Sequence, residues 1–312
     1  MSKIPKLARS WRLCICALRL VARQKRLLWF PILNGLCCLL LAVLFMAPMI
    51  ARPTGHTWGE LAHWKAVGHL FLNNVPRASG HDNLQPTRLA YGYFAAIYLP
   101  LVVCGTFFNV AFYHQVMKAL AGEQVGLRAG LNFACRRWRA ILGWSLFAGV
   151  IGLLIQLLAE RLGWAARLGL RLTGMAWSLA SVFVIPVMIR EEDANPLSLL
   201  RRSAAAVRRT WGESLAGFVG IQFGLALVLP VVLLAGIVVA IQSLSPAFEA
   251  AAFPVMLAGY VLMMFVLMTC IKTFSHIYRC ALYIYASEGV VPEPFSEEQM
   301  HQAWKVRAGG AS

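Results

Sequence analysis

The run Leu27 to Ile50 holds twenty-four residues without a charge, and it follows a head whose first twenty-six positions carry eight Lys and Arg. A bilayer core is about 30 Å thick and a helix rises about 1.5 Å per residue, so about 20 apolar residues cross it. The run therefore predicts a transmembrane helix, and its basic flank predicts a cytoplasmic amino terminus. It exceeds the apolar region of a cleaved signal peptide, about 7–15 residues, and ends in Met46-Ala47-Pro48-Met49, so retention of the helix is expected. Similar runs follow at 89–117, 140–159, 172–189, 215–242 and 250–271.

Six spans starting inside return the carboxyl terminus to the cytoplasm. The distribution of Lys and Arg tests this threading. The inner segments hold 22 of the 29 basic residues, and the outer ones hold Arg52, Lys65, Arg77, Arg88, Arg161, Arg167 and Arg171. That is the bias of the positive-inside rule. Composition agrees, with 59% hydrophobic and 13% charged residues against about 45–50% and about 25% in soluble domains. The expected fold is all-α: one polytopic membrane domain, N-in/C-in, with a basic head (1–26), an outer loop (51–88) and a cytoplasmic tail (272–312). The bacterial cytoplasmic (inner) membrane is the expected location. All eight cysteines fall inside the membrane or the cytoplasm under this threading, so no disulfide framework is implied.

Amphipathic spacing marks surface helices beside the inner leaflet. In the head, Ile4, Leu7, Trp11, Cys14, Leu18 and Val21 recur at three and four; Leu127, Leu131, Ala134 and Trp138 repeat the pattern, as do Leu200, Ala204, Val207 and Trp211. A shift of 73 superposes Leu127 on Leu200, Arg128 on Arg201, Arg136 on Arg209 and Trp138 on Trp211, which suggests parallel repeats. Shared amphipathic spacing alone would look the same. A shift of 167 matches Phe107, Ala119 and Gly122 with Phe274, Ala286 and Gly289, so the second and sixth spans are predicted to run on into helices that each end at a glycine. Asn195 and Pro196 predict a capped helix start, and Thr210 to Glu213 and Ser296 to Gln299 fit capping boxes. In the outer loop Trp58, Leu61, Trp64, Val67 and Phe71 form an apolar stripe suited to the interface, and Pro76 to Pro86 is turn-rich.

The net charge of +16 is mostly cytoplasmic. It reads as a surface for anionic lipid or an acidic partner, with Arg136, Arg137, Arg208 and Arg209 as the candidate contacts, or as the topology signal alone. Nucleic acid is not an expected partner. Within the spans Asn109, Gln156 and Gln222, with Pro186 among four prolines (Pro100, Pro186, Pro230, Pro254), could line a cavity or serve packing. No ionisable residue lies at mid-membrane apart from His114 near an inner boundary, which argues against a proton path. His56, His63, His69 and His81 lie near Glu60 and Asp82, but their spacing favours interfacial histidines over a metal site. Gly217, Gly220 and Gly224 permit close helix packing, within the chain or across a homodimer. No metalloprotease, nucleophile-elbow, P-loop or dinucleotide motif occurs, so neither catalysis nor a cofactor is expected.

Several stretches carry a resemblance: Phe107-Phe-Asn-Val-Ala111, Trp144 to Trp164, Ala176-Trp-Ser-Leu-Ala180 running to Ile185-Pro-Val187, Arg208-Arg-Thr-Trp-Gly-Glu213, and Ala281-Leu-Tyr-Ile-Tyr-Ala286 with Gly289, Pro292 and Phe295. By these the chain resembles an uncharacterised family of bacterial and archaeal six-span integral membrane proteins carrying a domain of unknown function. More loosely, it is similar to the membrane domains attached to some glycerophosphodiesterases. The resemblance implies threading and fold and supplies no activity; the histidine-bearing outer loop departs from it. The expected function is a non-enzymatic membrane protein whose basic inner face engages anionic lipid or a partner. A permease for a neutral or lipid-like solute is the alternative, and a membrane enzyme comes third.

Overall fold

The computed structural model describes residues 19–75, 83–161, 164–192, 195–209 and 246–293, with isolated helical positions at 231, 234 and 236. A 3-10 turn, Lys25–Leu28, leads into α1 (Trp29–Ile50). The outer segment folds as α2 (Leu61–Phe71) and an antiparallel ribbon, β1 (Leu72–Val75) with β2 (Asn83–Pro86), in which Leu72 pairs with Pro86 and Val75 with Asn83. Then come α3 (Arg88–Leu120), α4 (Leu127–Arg136), α5 (Trp138–Arg161), α6 (Trp164–Ala180), α7 (Val184–Arg190), α8 (Pro196–Arg209) and α9 (Pro246–Glu288). Apart from the ribbon, these elements are helical.

Five helical stretches are long and apolar enough to cross a membrane: Lys25–Ile50, Arg88–Leu120, Trp138–Leu158, Leu172–Arg190 and Ala258–Glu288. They correspond to predicted spans one to four and six. The fifth, 215–242, with Gln222, Pro230 and the Gly217/Gly220/Gly224 face, lies outside the described residues. So do the head up to Leu18 and both predicted capping boxes.

Burial divides each long helix. At mid-span the large apolar side chains stay uncovered by protein: Leu39, Leu40, Val43 and Leu44 on α1, the four-residue stripe Leu146, Val150, Leu154 and Leu158 on α5, and Leu262 and Val266 on α9. Hydrocarbon solvates such groups as well as a neighbouring helix does, so there is no hydrophobic reason to pack them. The buried residues instead gather at one end: Leu27 and Phe30 of the first crossing, Val110 to Tyr113 with Gln115 and Val116 of α3, Ala134 of α4, Phe183, Val184, Val187 and Met188 around α7, Leu199 of α8, and Ile277, Tyr278 and Cys280 to Leu282 of α9. At 33 and 43 residues, α3 and α9 are about 50 and about 65 Å long, well beyond a 30 Å core. Their surplus length builds this packed end. α3 is the hub, touching α1, α2, α4, α5, α7 and α9.

The predicted helix ends are found. α3 stops at Leu120 and Gly122 takes φ +79°; α9 stops at Glu288 and Gly289 takes φ +69°. Both are left-handed positions that favour a residue without Cβ. Asn195 caps α8, its side-chain oxygen accepting from the Leu197 N–H at 3.0 Å. The surface helices α4 and α8 bury equivalent positions under the 73-residue shift: Gly130 and Ser203, then Ala134 and Val207. Gly130 matters because a Cβ there would sit 2.7 Å from the Phe30 ring and 2.9 Å from Gln115.

Four details depart from or sharpen the expectation. Trp138 does not complete the buried face of α4; α5 begins at that residue, and its indole is exposed, with the Arg139 guanidinium over it. In the outer loop Trp58 and Leu61 of the apolar stripe stay uncovered by protein, while α2 turns Val67 of that stripe inward together with His63. Pro186 lines no described cavity. It is buried in α7, and the fourth span breaks at Ser181 to Phe183 just before it. The missing N–H removes the bond to the Val182 carbonyl and the ring crowds that carbonyl, and the helix breaks there, whereas α1 and α3 continue through Pro48 and Pro100. α6 also starts at Trp164, which puts Arg167 and Arg171 on a helix rather than in a loop.

Candidate functional site

The packed end contains a cavity of about 370 Å³ between three long helices. α1 contributes Phe30, Pro31 and Asn34; α3 contributes Phe108, Asn109 and Phe112; α9 contributes Ile271, Lys272, Thr273, Ser275, His276 and Arg279. The spacing explains the α9 wall. Lys272, His276 and Arg279 stand four and three apart, which places them on one helical stripe. Asn109 and Phe112 share a face of α3 for the same reason. Sequence reading singled out Asn109 and missed the cations, because Lys272 and Arg279 were counted only as topology signals; their four-three spacing was the available clue.

His276 is held in place. It lies 2.7 Å from the Tyr113 hydroxyl through Nδ1, and its ring meets those of Tyr113 and Phe112 at 4.9 and 5.8 Å. The phenol O–H is the natural donor to a neutral imidazole, which leaves Nε2–H as the free donor. The Arg279 guanidinium lies against the same hydroxyl. Thr273 turns its hydroxyl back to the Thr269 carbonyl at 2.8 Å. The cavity thus combines two cations, an imidazole and two amides with an aromatic and aliphatic wall, and among the described residues no carboxylate lines it.

Of the other predicted cavity residues, Gln222 lies outside the described residues, and Gln156 and Pro186 do not join Asn109. Gln156 lines a separate cavity of about 360 Å³ with Phe71, Leu72, Pro86 and Phe94, on the side of the outer ribbon. His114 stacks on Phe133, ring centroids 3.9 Å apart, and fastens α4 to α3 together with Gln115, whose oxygen accepts from the Gly126 N–H at 2.9 Å.

The four candidate arginines separate into different roles. Arg136 and Arg208 are exposed, as are Arg128, Arg139 and Arg201. Arg137 is engaged: its Nη1 donates to the Glu191 carbonyl at 2.7 Å and the guanidinium sits over Phe133. Arg209 is the last residue of α8. Around the exit of α7, the Glu191 carboxylate pairs with Arg202, and Arg190 pairs with Glu288 at 2.6 Å. These contacts tie the α4–α5 junction, α7, α8 and α9 together.

In the outer segment, His63 is buried with both ring nitrogens used. Nε2–H donates to the Met49 carbonyl at 3.1 Å, so Nδ1 accepts from the Thr54 hydroxyl at 2.6 Å. Glu60 does not pair with His63. It receives the Thr57 hydroxyl at 2.8 Å, which holds its carboxyl below the usual range, and it pairs with His56. Among the described residues no three His, Cys, Asp or Glu side chains gather as a metal site; His81 and Asp82 lie outside them.

A family model described as a family of unknown function (DUF6159) matches residues 91–292. The match takes in the α3 and α9 walls of the inner cavity and both surface helices, and leaves out α1. No curated protein and no solved structure matches the chain.

Proposed function

The chain belongs to the family of unknown function DUF6159, whose description carries no activity, and from its own residues we propose a non-enzymatic integral membrane protein whose basic cytoplasmic face engages anionic lipid. The observation that carries this is the two-sidedness of α4 and α8. Each buries one face on the bundle, while Arg128 and Arg136 on α4, Arg139 just beyond it, and Arg201 and Arg208 on α8 stay exposed. Repeated basic, half-buried helices at the end of a membrane bundle suit a headgroup layer, where each cation near an anionic surface contributes about 1 kcal/mol. Six spans with both termini inside, a bacterial cytoplasmic membrane and the looser likeness to glycerophosphodiesterase membrane domains belong to the same reading.

A permease for a neutral or lipid-like solute is the second reading: Asn109 and Gln156 each line a cavity, though separate ones. The lipid reading is tested by titrating the purified protein with phosphatidylglycerol and with phosphatidylcholine and counting bound lipids by native mass spectrometry. Wild type should favour phosphatidylglycerol in a salt-sensitive way, and R128Q/R136Q/R139Q/R201Q/R208Q should lose at least about tenfold of that preference. An unchanged preference in the variant would remove the proposal.

A further inference from the structure

We infer that the cavity between α1, α3 and α9 is a binding site for a phosphate-bearing amphiphile, its phosphate held between Lys272 and Arg279 and its apolar part against Phe30, Phe108 and Phe112. The inference rests on the lipid-engaging reading for its ligand class, and its test separates the two.

The charges point to an anion. Some cations at this end are matched by carboxylates, Lys118 with Glu123, Arg190 with Glu288 and Arg202 with Glu191, and Arg128, Arg136, Arg139, Arg201 and Arg208 stand exposed on the surface helices rather than at a cavity. Lys272 and Arg279 have no carboxylate partner among the described residues, and none lines their cavity. Lys272, exposed, and Arg279, half-buried, border one partly apolar cavity, where like charges repel and a shared anion relieves the repulsion. Seven residues of helix separate them by about 10 Å along the axis, a gap that two long side chains close around one phosphate. Neutral donors complete the set: the Asn34 and Asn109 amides, and His276 with its Nδ1 occupied by Tyr113.

The wall points to an amphiphile rather than a free ion. Three phenylalanines, Pro31 and Ile271 make up much of the lining, surface that inorganic phosphate would leave unused and that a glycerol backbone or upper acyl chain would cover. The volume lies within the usual range for small-ligand sites, about 300–1,000 Å³. The level fits too. Phe30 and Pro31 stand in the first turn of α1, and Phe30 packs on Gly130 of the surface helix α4, which puts the cavity where the basic head meets the first span.

Calorimetric titration of the full-length protein in detergent tests the site with three probes: dihexanoyl phosphatidic acid, dihexanoylglycerol and inorganic phosphate. Phosphatidic acid should bind at least about tenfold more tightly than either of the others. K272Q/R279Q should weaken it by at least about tenfold, while K272R/R279K retains it. Asn109→Phe, which fills the cavity and leaves both cations, should weaken it equally, and this variant decides the matter if the double variant fails to fold. Undiminished phosphatidic acid binding in K272Q/R279Q or in Asn109→Phe overturns the site. Phosphate binding as tightly as phosphatidic acid overturns the amphiphile, and dihexanoylglycerol doing so overturns the role of the cations. The surface variant R128Q/R136Q/R139Q/R201Q/R208Q should bind phosphatidic acid as wild type does, so loss of the surface reading would leave this site standing.

Discussion

Arg136 and Arg137 are neighbours in the chain, and a rotation of about 100° around the helix axis gives them different work. Arg136 stays exposed, whereas Arg137 reaches the Glu191 carbonyl at the C-terminal end of α7, where a helix leaves acceptors unsatisfied and favours a cation. Arg137→Gln should therefore destabilise the protein by about 1.5 kcal/mol, lowering its melting temperature in detergent, and leave the lipid preference unchanged. Ser203 plays the complementary part at the other end of α7. It is fully buried on α8 and its hydroxyl accepts from the Phe183 N–H at 3.0 Å. Ser203→Ala leaves that amide buried without its partner and should cost about 1–3 kcal/mol in the same measurement; a melting temperature equal to wild type would mean that water replaces the hydroxyl. Neither role could be read from sequence. Arg137 reads as one more cation in a basic run and Ser203 as a neutral helix residue, because their partners lie 54 and 20 positions away.

Among the elements, α4 shows how closely a surface helix is set on the bundle. Its approach to α1 and α3 depends on Gly130, where any Cβ would meet the Phe30 ring and Gln115. Both neighbours are fully buried. Gly130→Val should destabilise by about 1–3 kcal/mol through overpacking, while Gly92→Ala, which meets nothing within 4 Å, should be neutral in the same thermal unfolding assay. Equal effects would mean that α4 is held only loosely. Helix boundaries were the most legible feature at this scale: Ile50, Gly122, Asn195 and Gly289 all mark ends where local chemistry predicts them, because caps and left-handed glycines act within one turn. The break before Pro186 was legible in kind, since proline must disturb a helix; that it serves packing at α7 rather than a cavity depended on what surrounds it.

For the whole molecule, the prediction concerns threading. A single cysteine at Arg201 on α8 should react with an impermeant thiol reagent only after the membrane is opened, and one at the exposed Trp58 should react in intact cells, in a background with the native cysteines replaced. The reverse pattern would invert the molecule. Long uncharged runs were enough to locate five helices long and apolar enough to cross a membrane, because hydrocarbon demands internally bonded backbone and about 20 apolar residues whatever their neighbours are. The sidedness of Lys and Arg likewise acts residue by residue, without a fold. Which polar groups share a cavity is another matter. Asn34, Asn109 and Lys272 are separated by 75 and 163 positions, and only the crossing of α1, α3 and α9 brings them together; Gln156, equally polar and equally apolar in its surroundings, is carried to a different cavity. Periodicity orients a side chain about its own helix axis, but the partner across the gap is chosen by packing between helices, which no single segment encodes.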